Sequence, residues 1–266
     1  MPGHIRYEAQ GAANGAGIAR LTLANPGKHN AIDIAMWREL RAIFERLQTL
    51  AAGDAPRAVI VQGEGGQFAS GGDIAEFAGF RFDEARLRDF HEQIVAPALG
   101  ALLGCDIPLV AQIDGACIGG GLEIAACCDI RIAAEGARFG APIARLGFPM
   151  APGELQLLCG VAPAPLLREM LLEARLIDAA RALQCGLVHA VVPAAKLPEA
   201  AAARALAIAA LSPQAARINK RTLRQIAAGG PSDAERRAHY GYADSAEHHE
   251  GIAAFLEKRP PRFERG

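Results

Sequence analysis

Short apolar runs alternate with amphipathic segments along the first two thirds of the chain. Residues 34–47 place apolar side chains three and four positions apart, which predicts a helix over 33–52, and Asp33 is its predicted N-cap. A helix is also expected to begin near Asp73, and another is predicted over 83–103. Strands are predicted for the apolar runs at 18–24, 58–61, 109–113, 130–133 and 188–192. Strands that alternate with helices indicate parallel β structure with crossover helices.

The pattern changes after Pro193, where the chain becomes helical almost throughout. Four helices are predicted there, at 196–211, 214–228, 233–242 and 245–257. This change is the best internal boundary. It predicts an α/β core over residues 1–193 and a separate helical region over residues 194–266.

Net charge and the length of the apolar runs limit which partners and which cellular location we expect for this protein. The chain has 266 residues and a net charge of -1, so it has no basic surplus to neutralise nucleic-acid phosphates. No apolar run reaches the roughly 18–20 residues that span a bilayer, and the N-terminal stretch lacks the apolar region of a signal peptide. We therefore expect a cytoplasmic protein with no nucleic acid and no membrane as partner.

The cysteines and histidines do not suggest a metal. None of the six cysteines forms a C-x-x-C pair, and the seven histidines do not cluster at metal-ligand spacing. Reduced, mostly buried thiols are expected in a cytoplasmic protein. We predict no metal site.

Two glycine-rich segments, 68–74 and 115–123, share one design. Each follows a predicted strand, contains small residues and leads into a helix start. Glycine lets the backbone approach a ligand closely, and a helix N-terminus offers unpaired N–H groups. Two such termini around one pocket can stabilise a negative oxygen from two sides, although either loop alone could be a tight turn. The chain has no phosphate-binding loop, dinucleotide fingerprint or G-x-S-x-G elbow to compete with this interpretation.

Taken in order, eight segments of the chain resemble the crotonase superfamily. They are Asn25–Ala31, Phe68–Ile74, Ile107–Ala111, Gly115–Glu123, Cys128–Ala133, Phe139–Gly140, Ala182–Val188 and Phe255–Arg259. The resemblance covers nearly the whole chain. It implies a spiral of β-β-α turns with a C-terminal helical trimerisation region, and a homotrimer or a dimer of trimers.

The resemblance also implies a substrate and a reaction centre. The substrate would be an acyl-CoA thioester, with coenzyme A as part of the substrate and no separate cofactor. The N–H groups of Gly72 and Gly120 match the family's oxyanion hole, which stabilises an enolate. Glu123 matches the family's first catalytic glutamate and can act as general acid or base.

The coenzyme A side of the site is implied by further matched positions. Lys28 matches a basic position near the phosphates, although it could be a solvated surface residue. Asp73 could serve only as a helix N-cap. The complete set of implied coenzyme A contacts is Lys28, Ala69, Asp73, Ile74, Phe255 and Lys258.

The chain departs from the hydratase pattern at the second glutamate. That position is Ile143, and a new acidic residue, Glu154, occurs where the family has glycine. Glu154 is predicted in the first turn of a helix, where a carboxylate is electrostatically favoured, and it is the best candidate for a replacement acid or base. Ile143 and Met150 are expected to line the substrate pocket.

These departures leave the reaction open. The first hypothesis is an enoyl-CoA hydratase or isomerase of fatty acid metabolism that uses Glu123, with Glu154 assisting. The alternative is an acyl-CoA decarboxylase or another enolate-forming enzyme, since some family decarboxylases carry an aliphatic residue at the second position. A catalytically inactive coenzyme A-binding protein is the second alternative, and the intact Glu123 argues against it.

Overall fold

The computed structural model describes residues 2–10, 17–51 and 53–263. Nine strands lie within these ranges: β1 His4–Gln10, β2 Ile18–Ala24, β3 Ala58–Gly63, β4 Leu109–Ile113, β5 Ala116–Ile118, β6 Ile130–Ala134, β7 Arg138–Gly140, β8 Ile177–Asp178 and β9 Ala190–Val192. They form a six-stranded sheet in the order β1-β2-β3-β4-β6-β9 and a three-stranded sheet in the order β5-β7-β8.

The strands from β2 to β9 in the large sheet are parallel, as the alternating pattern predicts. Val59 lies opposite Leu109, and Val110 lies opposite Ile130. Two antiparallel pairs depart from the prediction, namely β1 with β2 and β7 with β8. The sequence did not reveal β1, because its alternating side chains are mostly polar and only Ile5 among its hydrophobic residues is buried.

Eleven α-helices connect and cover the strands in the described part of the chain. They are α1 Ile34–Thr49, α2 Glu84–Asp89, α3 Ala96–Gly104, α4 Gly120–Ala126, α5 Pro152–Cys159, α6 Ala164–Leu172, α7 Ala179–Gln184, α8 Leu197–Ala209, α9 Pro213–Ala227, α10 Asp233–His239 and α11 Ala246–Leu256. Asp33 caps α1 as predicted, because its carboxylate accepts a hydrogen bond of 2.8 Å from the Met36 N–H.

Two predicted helices have a different form in the structure. The segment after Asp73 is a 3₁₀ helix, Ile74–Gly79, rather than an α-helix. The helix predicted over 83–103 is divided into α2 and α3 by a π-helical turn at Phe90–Val95. Such π turns are frequent at functional sites, and this one carries His91.

The large sheet is covered on both faces, which accounts for its near-continuous apolar strands. Helices α1 and α3 pack within the main core. On the other side, α8 contributes Leu197 and three alanines at four-residue spacing, which pack with Ile60, Val110 and Ile132. The boundary at residue 193 stays a prediction, but α8 shares its core with the strands.

Helix α9 is held to the core by charged side chains. Asp106 is buried and accepts hydrogen bonds from Arg221 at 2.6 Å and Arg224 at 2.8 Å. Lys220 forms an ion pair of 2.8 Å with Asp129.

None of the helices described is both long and apolar enough to cross a bilayer.

Candidate active site

A cavity of about 270 Å³ opens where the two glycine-rich loops meet the segment 142–154. Its wall is mostly apolar and contains few polar groups, as is usual for sites that bind small molecules. The residues that line it include Trp37, Gly72, Ile74, Phe77, Arg81, His91, Gly120, Glu123, Ile143, Phe148, Met150 and Glu154.

The two loops lie against each other at the cavity. A β carbon placed on Gly119 would lie 3.7 Å from the α carbon of Gly71. Gly71 and Gly119 both have a positive φ, 109° and 48°, which glycine adopts without strain. Within the described ranges, the N–H groups of Gly72 and Gly120 donate no hydrogen bond to another backbone group, and both glycines line the cavity.

Close packing behind the second loop explains why it requires glycine. A β carbon on Gly120 would lie 2.9 Å from the ring of Trp37, which α1 buries. A β carbon on Gly121 would lie 2.7 Å from the carbonyl oxygen of Ala69. Both distances are too short for a real side chain. The glycines therefore let α4 begin directly against the first loop.

Glu123 is held in the first turn of α4, a helix that is buried along its whole length. Only 7% of its surface is exposed. Burial, with a further contribution from the negative charge of Glu154, raises the pKa of the Glu123 carboxyl to about 8, against the opposing effect of Arg81. A buried carboxyl with such a pKa is suited to proton transfer near neutral pH.

Glu154 supplies a second carboxyl group to the same cavity. It lies in the first turn of α5, as predicted, and is only 4% exposed. Its Oε1 lies 2.7 Å from Nδ1 of His91, and its Oε2 accepts a hydrogen bond of 3.2 Å from the Ala151 N–H. These two contacts fix the orientation of the Glu154 carboxyl group at the cavity wall.

The apolar wall contains both residues predicted to shape the substrate pocket. Ile143 lies in the 3₁₀ turn Pro142–Leu146, and Met150 precedes α5. Phe77 and Phe148 also line the cavity, and they form an edge-to-face pair with ring centres 6.0 Å apart. Arg81 packs against both rings.

Three of the predicted coenzyme A contacts cluster beside the first loop. Lys28 forms an ion pair of 2.6 Å with Asp73, which raises the pKa of Lys28 through that hydrogen bond. Asp73 also caps the 3₁₀ helix by accepting a hydrogen bond from the Ala75 N–H. Ile74 is exposed at the cavity.

The other three predicted contacts, like Lys28 and Asp73, do not line the cavity. Ala69 is fully buried, and its carbonyl oxygen accepts a hydrogen bond from the Ile118 N–H. Phe255 is 82% exposed on α11, and Lys258 follows it beyond the helix end. Their predicted roles stay predictions.

Three side chains of the cavity escaped the sequence analysis. His91 is one of seven histidines, and no local motif marks it. Phe77 and Phe148 lie 71 positions apart in the chain, so their pairing depends on the fold.

Within the described ranges, no group of three or more histidine, cysteine, aspartate or glutamate side chains is arranged to hold a metal ion.

The spiral α/β core and the two glycine loops beside a buried glutamate define a protein of the crotonase class. The family described as enoyl-CoA hydratase/isomerase matches residues 13–266. The chain belongs to the enoyl-CoA hydratase/isomerase family.

Curated relatives and solved structures agree with this assignment. The chain is 34% identical over 251 residues to a probable enoyl-CoA hydratase of Mycobacterium tuberculosis, covering 92% of this chain and 94% of that protein. It is 34% identical over 249 residues to a 2,3-dehydroadipyl-CoA hydratase of Escherichia coli, with the same coverage. An enoyl-CoA hydratase/carnithine racemase structure from Magnetospirillum magneticum matches with a TM-score of 0.89 and 37% identity, over 95% of this chain and 93% of that one.

Proposed function

We propose that the protein hydrates the double bond of a 2-enoyl-CoA thioester. The observation that carries this proposal is the pair of buried carboxyl groups, Glu123 and Glu154, in one cavity with the two glycine loops. Hydration needs one group to supply a proton and another to accept one. The second group is present although the usual family position holds Ile143.

The thioester carbonyl oxygen is expected to accept hydrogen bonds from the N–H groups of Gly72 and Gly120. Neither N–H has a backbone partner in the described ranges, and both glycines line the cavity. Negative charge develops on this oxygen when water attacks the double bond. One such donor is typically worth about 3–4 kcal/mol of transition-state stabilisation.

The two glutamates take opposite roles in the proposed step. Glu154 takes the role of the base and accepts a proton from the attacking water, whose oxygen bonds to the β carbon. Glu123 holds a proton at neutral pH because of its raised pKa, and it donates that proton to the α carbon of the enolate. The net change is the addition of one water across the double bond, and the two carboxyl groups then exchange a proton through solvent.

Coenzyme A is expected to lie along the first loop. Lys28 and Ile74 are exposed there, next to the cavity. In an assembled trimer, Phe255 and Lys258 could approach the nucleotide from α11. The trimer, its contribution to coenzyme A binding and a cytoplasmic location belong to this proposal.

Absorbance of the conjugated enoyl thioester tests the proposal with crotonyl-CoA as substrate. The wild-type protein should remove the signal, and Glu123→Gln should slow its loss by at least about 100-fold while still binding coenzyme A by calorimetry. A protein that binds crotonyl-CoA without removing the signal would exclude short-chain hydration.

Isomerisation of a 3-enoyl-CoA is the second candidate function. Isomerisation needs only one carboxyl group to move a proton, and Glu123 can do this while Glu154 keeps its contacts with His91 and Ala151. The same assay distinguishes this reaction, because a 3-enoyl substrate would gain the conjugated signal. Release of CO₂ from malonyl-CoA, with no change in either enoyl substrate, would instead favour the decarboxylase alternative.

A further inference from the structure

A cationic side chain lies in the cavity wall with its hydrogen-bonding capacity unused. Arg81 follows the 3₁₀ helix Ile74–Gly79, and its Nε is buried with no hydrogen-bond partner among the described residues. Buried polar groups are hydrogen-bonded in the large majority of cases. Arg81 also lines the cavity, so a ligand bound there can accept hydrogen bonds from the exposed part of the guanidinium.

Two aromatic rings pack against this guanidinium. Its central carbon lies 4.0 Å from the ring centre of Phe77 and 3.7 Å from that of Phe148. Arginine stacks favourably on aromatic faces, and its N–H groups then remain available at the edge of the plane. This arrangement suits the bidentate binding of a carboxylate.

No carboxylate of the described residues hydrogen-bonds to Arg81 in this cavity. Burial lowers the pKa of Arg81, while the nearby carboxyl groups of Glu154 and Glu123 oppose this effect. Glu123 is largely protonated at neutral pH because its pKa is raised to about 8. Glu154 directs its two oxygens to His91 and Ala151, so neither glutamate bonds to the guanidinium.

Phe77 separates Arg81 from the carbonyl end of the cavity. The edge of its ring lies 3.3 Å from the position of a β carbon on Gly72, while Arg81 packs over the ring face. The Phe77 ring therefore contacts both Gly72 and Arg81. With the thioester at Gly72, a group bound to Arg81 would lie toward the acyl end of a short substrate.

We propose that Arg81 binds a carboxylate at the end of the substrate's acyl chain, so that the preferred substrate is a coenzyme A thioester of a short unsaturated dicarboxylic acid. This inference rests on the proposed function for the position of the thioester. The competing explanation is that Arg81 serves only as a counter-charge for the two glutamates.

A matched pair of substrates separates these explanations. One is trans-2-hexenoyl-CoA, and the other is its six-carbon analogue with a terminal carboxylate. The wild-type protein should prefer the carboxylated substrate by roughly 10–100-fold in kcat/KM, since one charge-assisted bidentate contact is gained. Arg81→Met should remove most of this preference, chiefly through the KM of the carboxylated substrate, and Arg81→Lys should retain part of it.

Arg88→Met provides the control. Arg88 lies on α2, pairs with Glu84 on the surface and does not line the cavity, so its replacement should leave the preference of the wild-type protein in place. If Arg81→Met slows both substrates by the same factor, Arg81 is a counter-charge and the inference is overturned. A wild-type protein that treats both substrates equally would also overturn it.

Binding of saturated thioesters keeps this inference separate from the hydration proposal. If the protein hydrates neither substrate, calorimetry can compare hexanoyl-CoA with its ω-carboxylated analogue. Tighter binding of the carboxylated thioester, lost in Arg81→Met, would support the role of Arg81 although hydration had failed. Equal binding of the two thioesters would reject the role of Arg81 whether or not hydration occurs.

Discussion

Replacing Glu123 with glutamine is expected to stabilise the folded protein in a pH-dependent way. The carboxyl is buried, and its pKa is raised from 4.5 to about 8 in the folded state. A group with a raised pKa contributes stability that is fully present below about pH 4.5 and is lost as the pH rises through about 8. Glutamine has nearly the same shape and does not ionise, so Glu123→Gln avoids this loss.

The size of the effect follows from the shift in pKa. Each unit corresponds to about 1.4 kcal/mol, so the advantage of Glu123→Gln should grow from below about 1 kcal/mol at pH 5 to about 4 kcal/mol at pH 7.5. For a chain of this size, that difference corresponds to roughly 10 °C in Tm.

Thermal unfolding at pH 5 and pH 7.5 measures the effect. Glu84→Gln is the matched control, because it makes the same chemical change at an exposed carboxylate that pairs with Arg88 on the surface. It should leave Tm nearly unchanged at both pH values. A difference in Tm between wild type and Glu123→Gln that does not change with pH would refute the reasoning. It would mean that the Glu123 carboxyl ionises normally in the folded protein.

Three further predictions concern the same cavity. Gly120→Ala should lower kcat by more than about 10-fold, and it should lower Tm because its β carbon would lie 2.9 Å from Trp37. Gly100→Ala, on the open side of α3, is the matched control. It should leave kcat unchanged and should leave Tm unchanged or raise it slightly. His91→Phe should reduce kcat and change its pH profile, because Glu154 loses its 2.7 Å partner. His91→Asn retains a side-chain donor and should restore part of kcat and part of the pH profile. Equal effects of the two variants would argue for a purely structural role of His91. With Glu123 as proton donor, kcat/KM for crotonyl-CoA should fall as the pH rises through about 8, and a rate that instead rises through this range would assign Glu123 as the base.

The strand-helix alternation and the glycine loops could be predicted because each depends on local sequence. Apolar runs identify β3 and β4 without tertiary information, and Asp33 marks the start of α1 by its side-chain chemistry. The position of Glu123 one helical turn after Gly120 also follows from the sequence alone. These features specify the class of fold and the first half of the site.

The rest of the site depends on contacts between distant segments. His91 reaches Glu154 only because a π-helical turn interrupts the predicted helix, and that turn has no clear sequence signal. Arg81 packs against both Phe77 and Phe148 because the segment after β7 brings Phe148 to the 3₁₀ helix that carries Phe77. Periodicity could place each residue on an element, but it could not bring those elements together.

The rate of crotonyl-CoA hydration by Glu154→Gln tests the central claim most directly. The claim is that Glu154 supplies the second carboxyl group that Ile143 cannot provide. We expect Glu154→Gln to bind the thioester but to hydrate it at least about 100-fold more slowly than the wild-type protein, since one acid-base group typically contributes 10²–10⁴-fold. Hydration by Glu154→Gln at the wild-type rate would contradict the account and leave Glu123 as the only carboxyl group that the reaction requires.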